Sequence, residues 1–254
     1  MAALPERVDI LGVGVHALNM DSAVAALADA VTEGRKGYVC VTGVHGIMEA
    51  QGDEQLRQIL NGSFLTTPDG MPTVWIGRST GHKAMRRVYG PELMLQVCQA
   101  SVAAGWTHYF YGGNEGVADE LKQRLQQRYP GLQVVGTYTP PFRPLNESEE
   151  QALIDDVAAK RPDFFWVGLS TPKQERFMAD YIDRLDTTVM LGVGAAFDIH
   201  TDRVREAPGW IQTAGLQWLH RLAQEPSRLG PRYLVNNPKF VAKYLMTRLK
   251  PSQS

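Results

Sequence analysis

Five stretches of this 254-residue chain place chemically capable side chains where a strand pattern gives way to a helical one. In Leu65-Thr66-Thr67-Pro68-Asp69-Gly70-Met71-Pro72, a short apolar approach runs into a turn and then into a helical segment. That sets one carboxylate, Asp69, at the C-terminal edge of a sheet, where α/β proteins bind their ligands. Two readings fit Asp69: a turn aspartate, since Pro-Asp-Gly is common turn chemistry, or a general base that takes a proton from an attacking hydroxyl. Thr42-Gly43-Val44-His45-Gly46 breaks an earlier strand at the same kind of edge.

The other three stretches suggest a bound anion or sugar. Gly112-Gly113-Asn114-Glu115-Gly116 lies between a strand and a helix start, where free N–H groups and the helix dipole suit a diphosphate. Glycines at such turns also serve packing alone, and the spacing is not Gly-x-Gly-x-x-Gly. Gly168-Leu169-Ser170-Thr171-Pro172-Lys173-Gln174-Glu175 ends the most apolar strand, and its polar side chains either grip a sugar or phosphate or form a solvated first helical turn. Gly192-Val193-Gly194-Ala195-Ala196-Phe197-Asp198 combines small residues, which admit a ligand closely, with a carboxylate. Asp198 either accepts hydrogen bonds from a base or ribose or caps a turn.

Other chemistries lack their residues. The chain has no Asp-x-Asp pair, no Cys pair at zinc spacing, no Gly-x-Ser-x-Gly and no Walker A motif, and its six histidines form no recognisable ligand set. No metal is therefore expected. Gly12-Val13-Gly14 follows a strand but lacks the third glycine of a dinucleotide fingerprint, so an NAD-type oxidoreductase stays an alternative without support.

The elements that must position these residues alternate. Strands are expected at 8–12, 38–42, 107–111, 133–136, 164–169 and 189–193. Helical patterns lie between them: from about Asp21, at 47–60, at 91–104, after Asn114, after the Asn146/Glu149 capping box, and through Phe177 to Leu185. Phe164-Phe165-Trp166-Val167 is apolar on both sides, as a parallel sheet covered on both faces requires. The expectation is an α/β fold: a Rossmann-like parallel sheet with helices on both faces over residues 1–200, built from βαβ units. Residues 201–254 form an Arg/Trp-rich helical appendage punctuated by Pro208, Pro226, Pro231 and Pro238.

Composition narrows the setting. At 44% hydrophobic and 21% charged, the chain reads as an ordinary soluble protein. Cys40 and Cys98 lie in apolar surroundings, as reduced thiols do. Met1 to Arg7 lacks signal-peptide features, and no apolar run nears the roughly 20 residues that span a bilayer, so a cytoplasmic location is expected. Residues 203–254 hold nine Lys/Arg against Glu206 and Glu225, within a net charge of −1 overall. A basic tail on an acidic body points to an anionic partner. Phe240, Val241, Tyr244 and Leu245 share one side of the last segment and Lys239, Lys243 and Lys250 another. That suits docking on anionic lipid, or packing on its own domain or on another copy in a homo-oligomer. No nucleic-acid module accompanies the basic residues.

Taken together and in order, these motifs resemble the WecG/TagA/CpsF family of bacterial glycosyltransferases (glycosyltransferase family 26). The likeness rests on Thr42, Pro68-Asp69-Gly70, Arg87-Val88-Tyr89-Gly90-Pro91-Glu92-Leu93, Gly112-Gly113, Pro172-Lys173-Gln174-Glu175 and Gly192 through Asp198. It continues through Arg205-Glu206-Ala207-Pro208, Gly215-Leu216-Gln217-Trp218-Leu219-His220-Arg221-Leu222, Glu225-Pro226 and Arg228. The resemblance implies inverting, metal-independent transfer of a sugar from a UDP-sugar to a polyprenyl-diphosphate-linked sugar, at the cytoplasmic face of the membrane, in cell-surface or exopolysaccharide biosynthesis. It makes Asp69 the base and puts Thr42, Gln174 and Arg87 beside it. Gly112, Gly113, Asn114, Lys173 and Asp198 then serve the donor, and Arg221, Arg228 and Arg232 the acceptor diphosphate. The chain departs from the family's Thr-x-Asn at Thr42-Gly43-Val44 and from its basic run before Ala-Pro at 200–208. A non-catalytic nucleotide-binding subunit at the membrane surface is the alternative of another class.

Overall fold

Residues 4–249 are described by a computed structural model; the side chains at 228, 231, 232, 248 and 249 lie outside the described residues. The chain opens with β1 (Arg7–Ile10) and β2 (Val13–His16), an antiparallel hairpin. Its turn, Leu11-Gly12, has φ of 57° and 83°, and two positive values in succession suit the twist of a tight hairpin. The strand expected at 8–12 is therefore part of a separate two-stranded sheet. Gly12-Val13-Gly14 is a hairpin and not a strand-to-helix turn, which removes the phosphate site that a nicotinamide reading needs.

Next come α1 (Met20–Thr32), β3 (Gly37–Thr42), α2 (Val44–Glu49), α3 (Glu54–Gly62) and β4 (Leu65–Pro68). Asn19, two residues before Asp21, caps α1 by a reciprocal box with Ser22. The helical pattern at 47–60 is two helices, because Asp53 starts α3 afresh by accepting from the Leu56 N–H. Then follow α4 (Met71–Ser79), α5 (Gly90–Ala104), β5 (Thr107–Gly112), α6 (Val117–Arg128) and β6 (Gln133–Tyr138). Gly116, with φ of 76°, occupies the N-cap of α6 in place of the expected Asn114. The core closes with α7 (Glu147–Lys160), β7 (Phe164–Gly168), α8 (Lys173–Tyr181), β8 (Val189–Gly192) and α9 (Ala196–His200). The Asn146/Glu149 capping box opens α7 as the sequence indicates.

Six strands form one parallel sheet in the order β4-β3-β8-β7-β5-β6. Strand side chains alternate between faces, and the buried residues sort accordingly. Val39, Phe110, Phe164, Trp166 and Leu191 pack with α1, α5 and α6. Cys40, Tyr109, Tyr111, Phe165, Val167 and Met190 pack with α2, α3, α7, α8 and the hairpin. This is the Rossmann-like sheet covered on both faces. β5 and β7 are neighbours, yet α6 after β5 and α8 after β7 lie on opposite faces. Such a divergence opens a crevice at the strands' C-terminal ends, where α/β folds bind ligands.

The C-terminal region adds α10 (Gly209–Thr213), α11 (Gln217–Gln224) and α12 (Pro226–Leu249). α12 runs through Pro231 and Pro238 without ending, although each removes one ladder hydrogen bond. Phe240, only 4% exposed, joins the core on the α2 face with Tyr244 against it, so these two rings are spent on the protein itself. Val241, Leu245 and Met246 stay exposed. Among the described residues, no helix is long and apolar enough to cross a membrane.

Candidate functional site

Two cavities open along the C-terminal edge of the sheet. The first, of about 800 Å³, lies beyond β5, β7 and β8, with Gly113, Asn114, Ser170, Lys173, Gln174, Gly194 and Asp198 in its wall. The second, of about 610 Å³, is mainly apolar and lies between the starts of α2 and α4 and the helices α11 and α12. Thr42, His45, Met71, Trp75, Trp218, Phe240 and Tyr244 line it. Among the described residues, only Val41, Asp69, Tyr89, Thr171 and Arg221 line both. Asp69 therefore stands where the two chambers meet.

Its position follows from the backbone around it. β4 pairs with β3 up to Pro68 opposite Thr42, and the next N–H, that of Asp69, donates to the Thr42 carbonyl at 3.1 Å. Gly70 then caps α4, with Pro72 in the first turn, so the chain turns away directly after the carboxylate. Arg87 Nε donates to the Asp69 carbonyl at 2.9 Å, and its Nη2 lies 3.5 Å from Oδ1. Removal from water pushes the Asp69 pKa up to about 6, against the attraction of Arg87 and Arg221. A carboxylate at that value is largely ionised at neutral pH and more basic than an ordinary aspartate, as a general base should be.

Arg87 is itself clamped. Its Nη1 donates to Gln212 Oε1 at 3.0 Å, its Nη2 donates to Gln217 Oε1, and its guanidinium lies 4.0 Å from the Tyr89 ring centroid. Asp69 is thus tied to α10 and the start of α11 through one guanidinium. Arg221, on α11, reaches both cavities and pairs with Glu225 at 3.8 Å.

Among the described residues, several buried polar atoms here have no hydrogen-bond partner, Asp69 Oδ1 having only its Arg87 ion pair. Asp69 Oδ1, Tyr89 OH, Gln174 Oε1, Glu175 Oε2 and Arg221 Nε are all in this state, and all five residues line the cavities. Each such atom costs about 1–3 kcal/mol. That their costs converge on one place fits a surface that a polar ligand completes.

The residues singled out in the sequence separate as follows. Gln174, Lys173, Gly113, Asn114 and Asp198 line the first cavity, and Thr42 the second. Gly112 lines neither: at φ 128° it lets β5 meet β7, and a Cβ there would sit 2.6 Å from the Gly168 carbonyl oxygen. It serves packing. α8 faces the first cavity with its first turn through Lys173 and Gln174, as α5 does through Gly90 and Pro91 and α9 through Asp198, while the first residues of α6 do not reach it. The Arg228 and Arg232 side chains lie outside the described residues. Tyr89, Glu175 and Gln217 appeared in the sequence only as motif members, and Gln212 lay outside every motif. Arg87 and Gln217 are 130 positions apart, and no local pattern joins them.

Known proteins resemble this chain over most of its length. The family model described as glycosyl transferase WecG/TagA/CpsF matches residues 8–254. Two curated relatives carry the name N-acetylglucosaminyldiphosphoundecaprenol N-acetyl-beta-D-mannosaminyltransferase. The protein from Bacillus spizizenii strain W23 is 26% identical over 227 residues, covering 89% of this chain and 86% of its own. The protein from Bacillus subtilis strain 168 is 24% identical over 202 residues, covering 80% and 75%.

Proposed function

The chain belongs to the WecG/TagA/CpsF family of glycosyl transferases, and from that premise we propose that it moves a hexosyl group from a UDP-sugar to a polyprenyl-diphosphate-linked sugar, with inversion. The observation that carries the reading is the place of Asp69, a partly desolvated carboxylate between a polar cavity and an apolar one. The polar chamber suits the nucleotide sugar. The apolar chamber, with Trp75, Trp218 and Tyr244 in its wall, suits the first part of an isoprenoid chain.

In the proposed step the acceptor hydroxyl enters from the second cavity and gives its proton to Asp69 as its oxygen attacks the anomeric carbon. The bond from that carbon to the diphosphate oxygen breaks, and UDP leaves with the electron pair. Lys173 and Arg221 meet the charge that develops on the leaving group. The step as proposed uses no metal ion, since guanidinium and ammonium groups take that role.

The relatives' names specify an N-acetylmannosaminyl group and an N-acetylglucosaminyl-diphospho-undecaprenol acceptor, and these head the substrates to try. The proposed setting is the cytoplasmic face of the cell membrane. Trp75, Leu216, Val241 and Leu245 line the apolar cavity and are 40–55% exposed, which suits contact with lipid at its mouth. Lys239 and Lys243 on α12 would add attraction to anionic headgroups.

The test is incubation with a panel of UDP-sugars and a short-chain polyprenyl-diphosphate N-acetylglucosamine, with product read by mass. Transfer from one UDP-sugar, abolished in Asp69→Asn, is the expected result. Hydrolysis alone, or transfer that survives the substitution, overturns the reading.

A further inference from the structure

We propose that Glu175 is a positioning residue that fixes the side-chain amide of Gln174 with its carbonyl oxygen turned into the polar cavity. Glu175 is 1% exposed and Gln174 3%, both in the first turn of α8. Glu175 Oε1 accepts two hydrogen bonds, from the Thr171 hydroxyl at 2.9 Å and from Gln174 Nε2 at 3.1 Å. The amide N–H₂ is thereby committed to Glu175, which leaves the carbonyl Oε1 on the other side.

Glycines shape the space for this amide. A Cβ on Gly192 would come within 3.1 Å of Gln174 Nε2 and 3.2 Å of its Cδ. A Cβ on Gly194 would lie 3.6 Å from Gln174 Oε1, and Gly194 is in the wall of the polar cavity. Gln174 Oε1 is one of the buried atoms without a partner, so it is an acceptor waiting for a donor. A sugar hydroxyl or the N–H of an acetamido group has that chemistry.

A glutamine amide alone does not choose this polarity. Its terminal torsion is broad and roughly two-fold, so half a turn would present N–H₂ in place of the carbonyl. An acceptor behind it makes the two orientations unequal, and Glu175 is that acceptor. Thr171 fills the remaining capacity of the same oxygen and also lines both cavities. Removing Glu175 should therefore reach the polar cavity chiefly through Gln174, and it also releases the Thr171 hydroxyl.

The kinetic arm of the test rests on the proposed transfer; the spectroscopic arm does not. Glu175→Ala is expected to lower kcat/KM for the nucleotide sugar about tenfold, the scale of one hydrogen bond, while melting and UDP affinity show that the protein folds. Glu175→Gln, whose amide carbonyl accepts the same two donors, should recover most of the loss. In a double-mutant cycle the Glu175→Ala effect should shrink in a Gln174→Ala background to what the released Thr171 hydroxyl contributes. In ¹⁵N-labelled full-length protein, the Gln174 side-chain N–H₂ pair should exchange slowly in the parent and rapidly in Glu175→Ala. If the parent transfers no sugar, the function reading fails while the exchange measurement still decides the anchor. Unchanged Gln174 exchange in Glu175→Ala, or an equal loss in the Gln174→Ala background, overturns the proposal.

Discussion

Arg87 holds Asp69 twice, donating from Nε to its main-chain carbonyl at 2.9 Å and placing Nη2 3.5 Å from its carboxylate Oδ1. The same guanidinium binds Gln212 and Gln217, so the candidate base and the C-terminal helices share one anchor. Arg87→Lys keeps the charge but not the planar fork that serves these acceptors together. It should reduce kcat/KM by roughly 10–100-fold and speed proteolytic cleavage within 205–220. Parent-like cleavage and turnover would show that the fork is dispensable.

Asp69→Asn removes the proton acceptor and leaves the shape of both cavities. Turnover should fall by about 10²–10⁴-fold, while UDP affinity, measured by calorimetry, changes little. In the parent, kcat/KM should rise with pH through about 6, where Asp69 ionises, and then level off. A flat profile from pH 5 to 8 would assign the proton transfer to another group.

The same carboxylate has a cost in stability. Its folded pKa, about 6, lies above the value of 3.8 taken for the free side chain. Between those values the folded state binds the proton and the unfolded state does not, so the Asp69 contribution declines as pH rises through that window and stays lost above it. Asp69→Asn should therefore melt a few degrees higher than the parent at pH 7.5, with the gap closing toward pH 4. A lower melting temperature at pH 7.5 would contradict the desolvation of this group.

Gly112→Ala should destabilise the fold by about 3 kcal/mol or more. The position combines φ of 128° with a Cβ that would meet main-chain atoms of Gly168 at 2.6–2.9 Å. Those atoms are backbone and cannot swing aside. Gly116→Ala meets no atom within 4 Å and carries only the strain of a left-handed backbone, so it should cost less. Chemical denaturation of the two variants ranks them, and equal midpoints would remove the packing role given to Gly112.

Membrane docking is tested with vesicles of phosphatidylglycerol and phosphatidylcholine in sedimentation. Binding should weaken from low to high salt, as lysine attraction is screened. Leu245→Asp, on a residue 55% exposed, should reduce it about tenfold with no effect on melting. Phe240→Ala should instead destabilise the protein, because that ring is already buried against it. Binding unaltered by Leu245→Asp would place the lipid contact elsewhere.

Much of the fold was legible because the signals are local. Most of the parallel-sheet strands read as apolar runs, and the Asn146/Glu149 box marked the start of α7. The hairpin was not legible. Val8, Ile10 and Leu11 read as a strand of the main sheet, and the positive φ at Leu11 that turns the chain back is unusual for a leucine. α2 and α3 merged for a similar reason: their apolar residues stay in helical phase across the break at Gln51-Gly52.

The sequence by itself determined that Asp69 would sit at a sheet's C-terminal edge, since a strand followed by Pro-Asp-Gly and a helix leaves it no other place. It also determined the basic, aromatic character of the last fifty residues. Only the tertiary structure decided that this edge is a junction of two cavities and that Arg87, Gln212 and Gln217 form one clamp. It also decided that Phe240 faces the protein while Val241 and Leu245 do not. The reason is physical. Turn chemistry and side-chain periodicity act within a few residues, whereas desolvation and a shared guanidinium depend on which distant segments close around a point, and the core alone settles that.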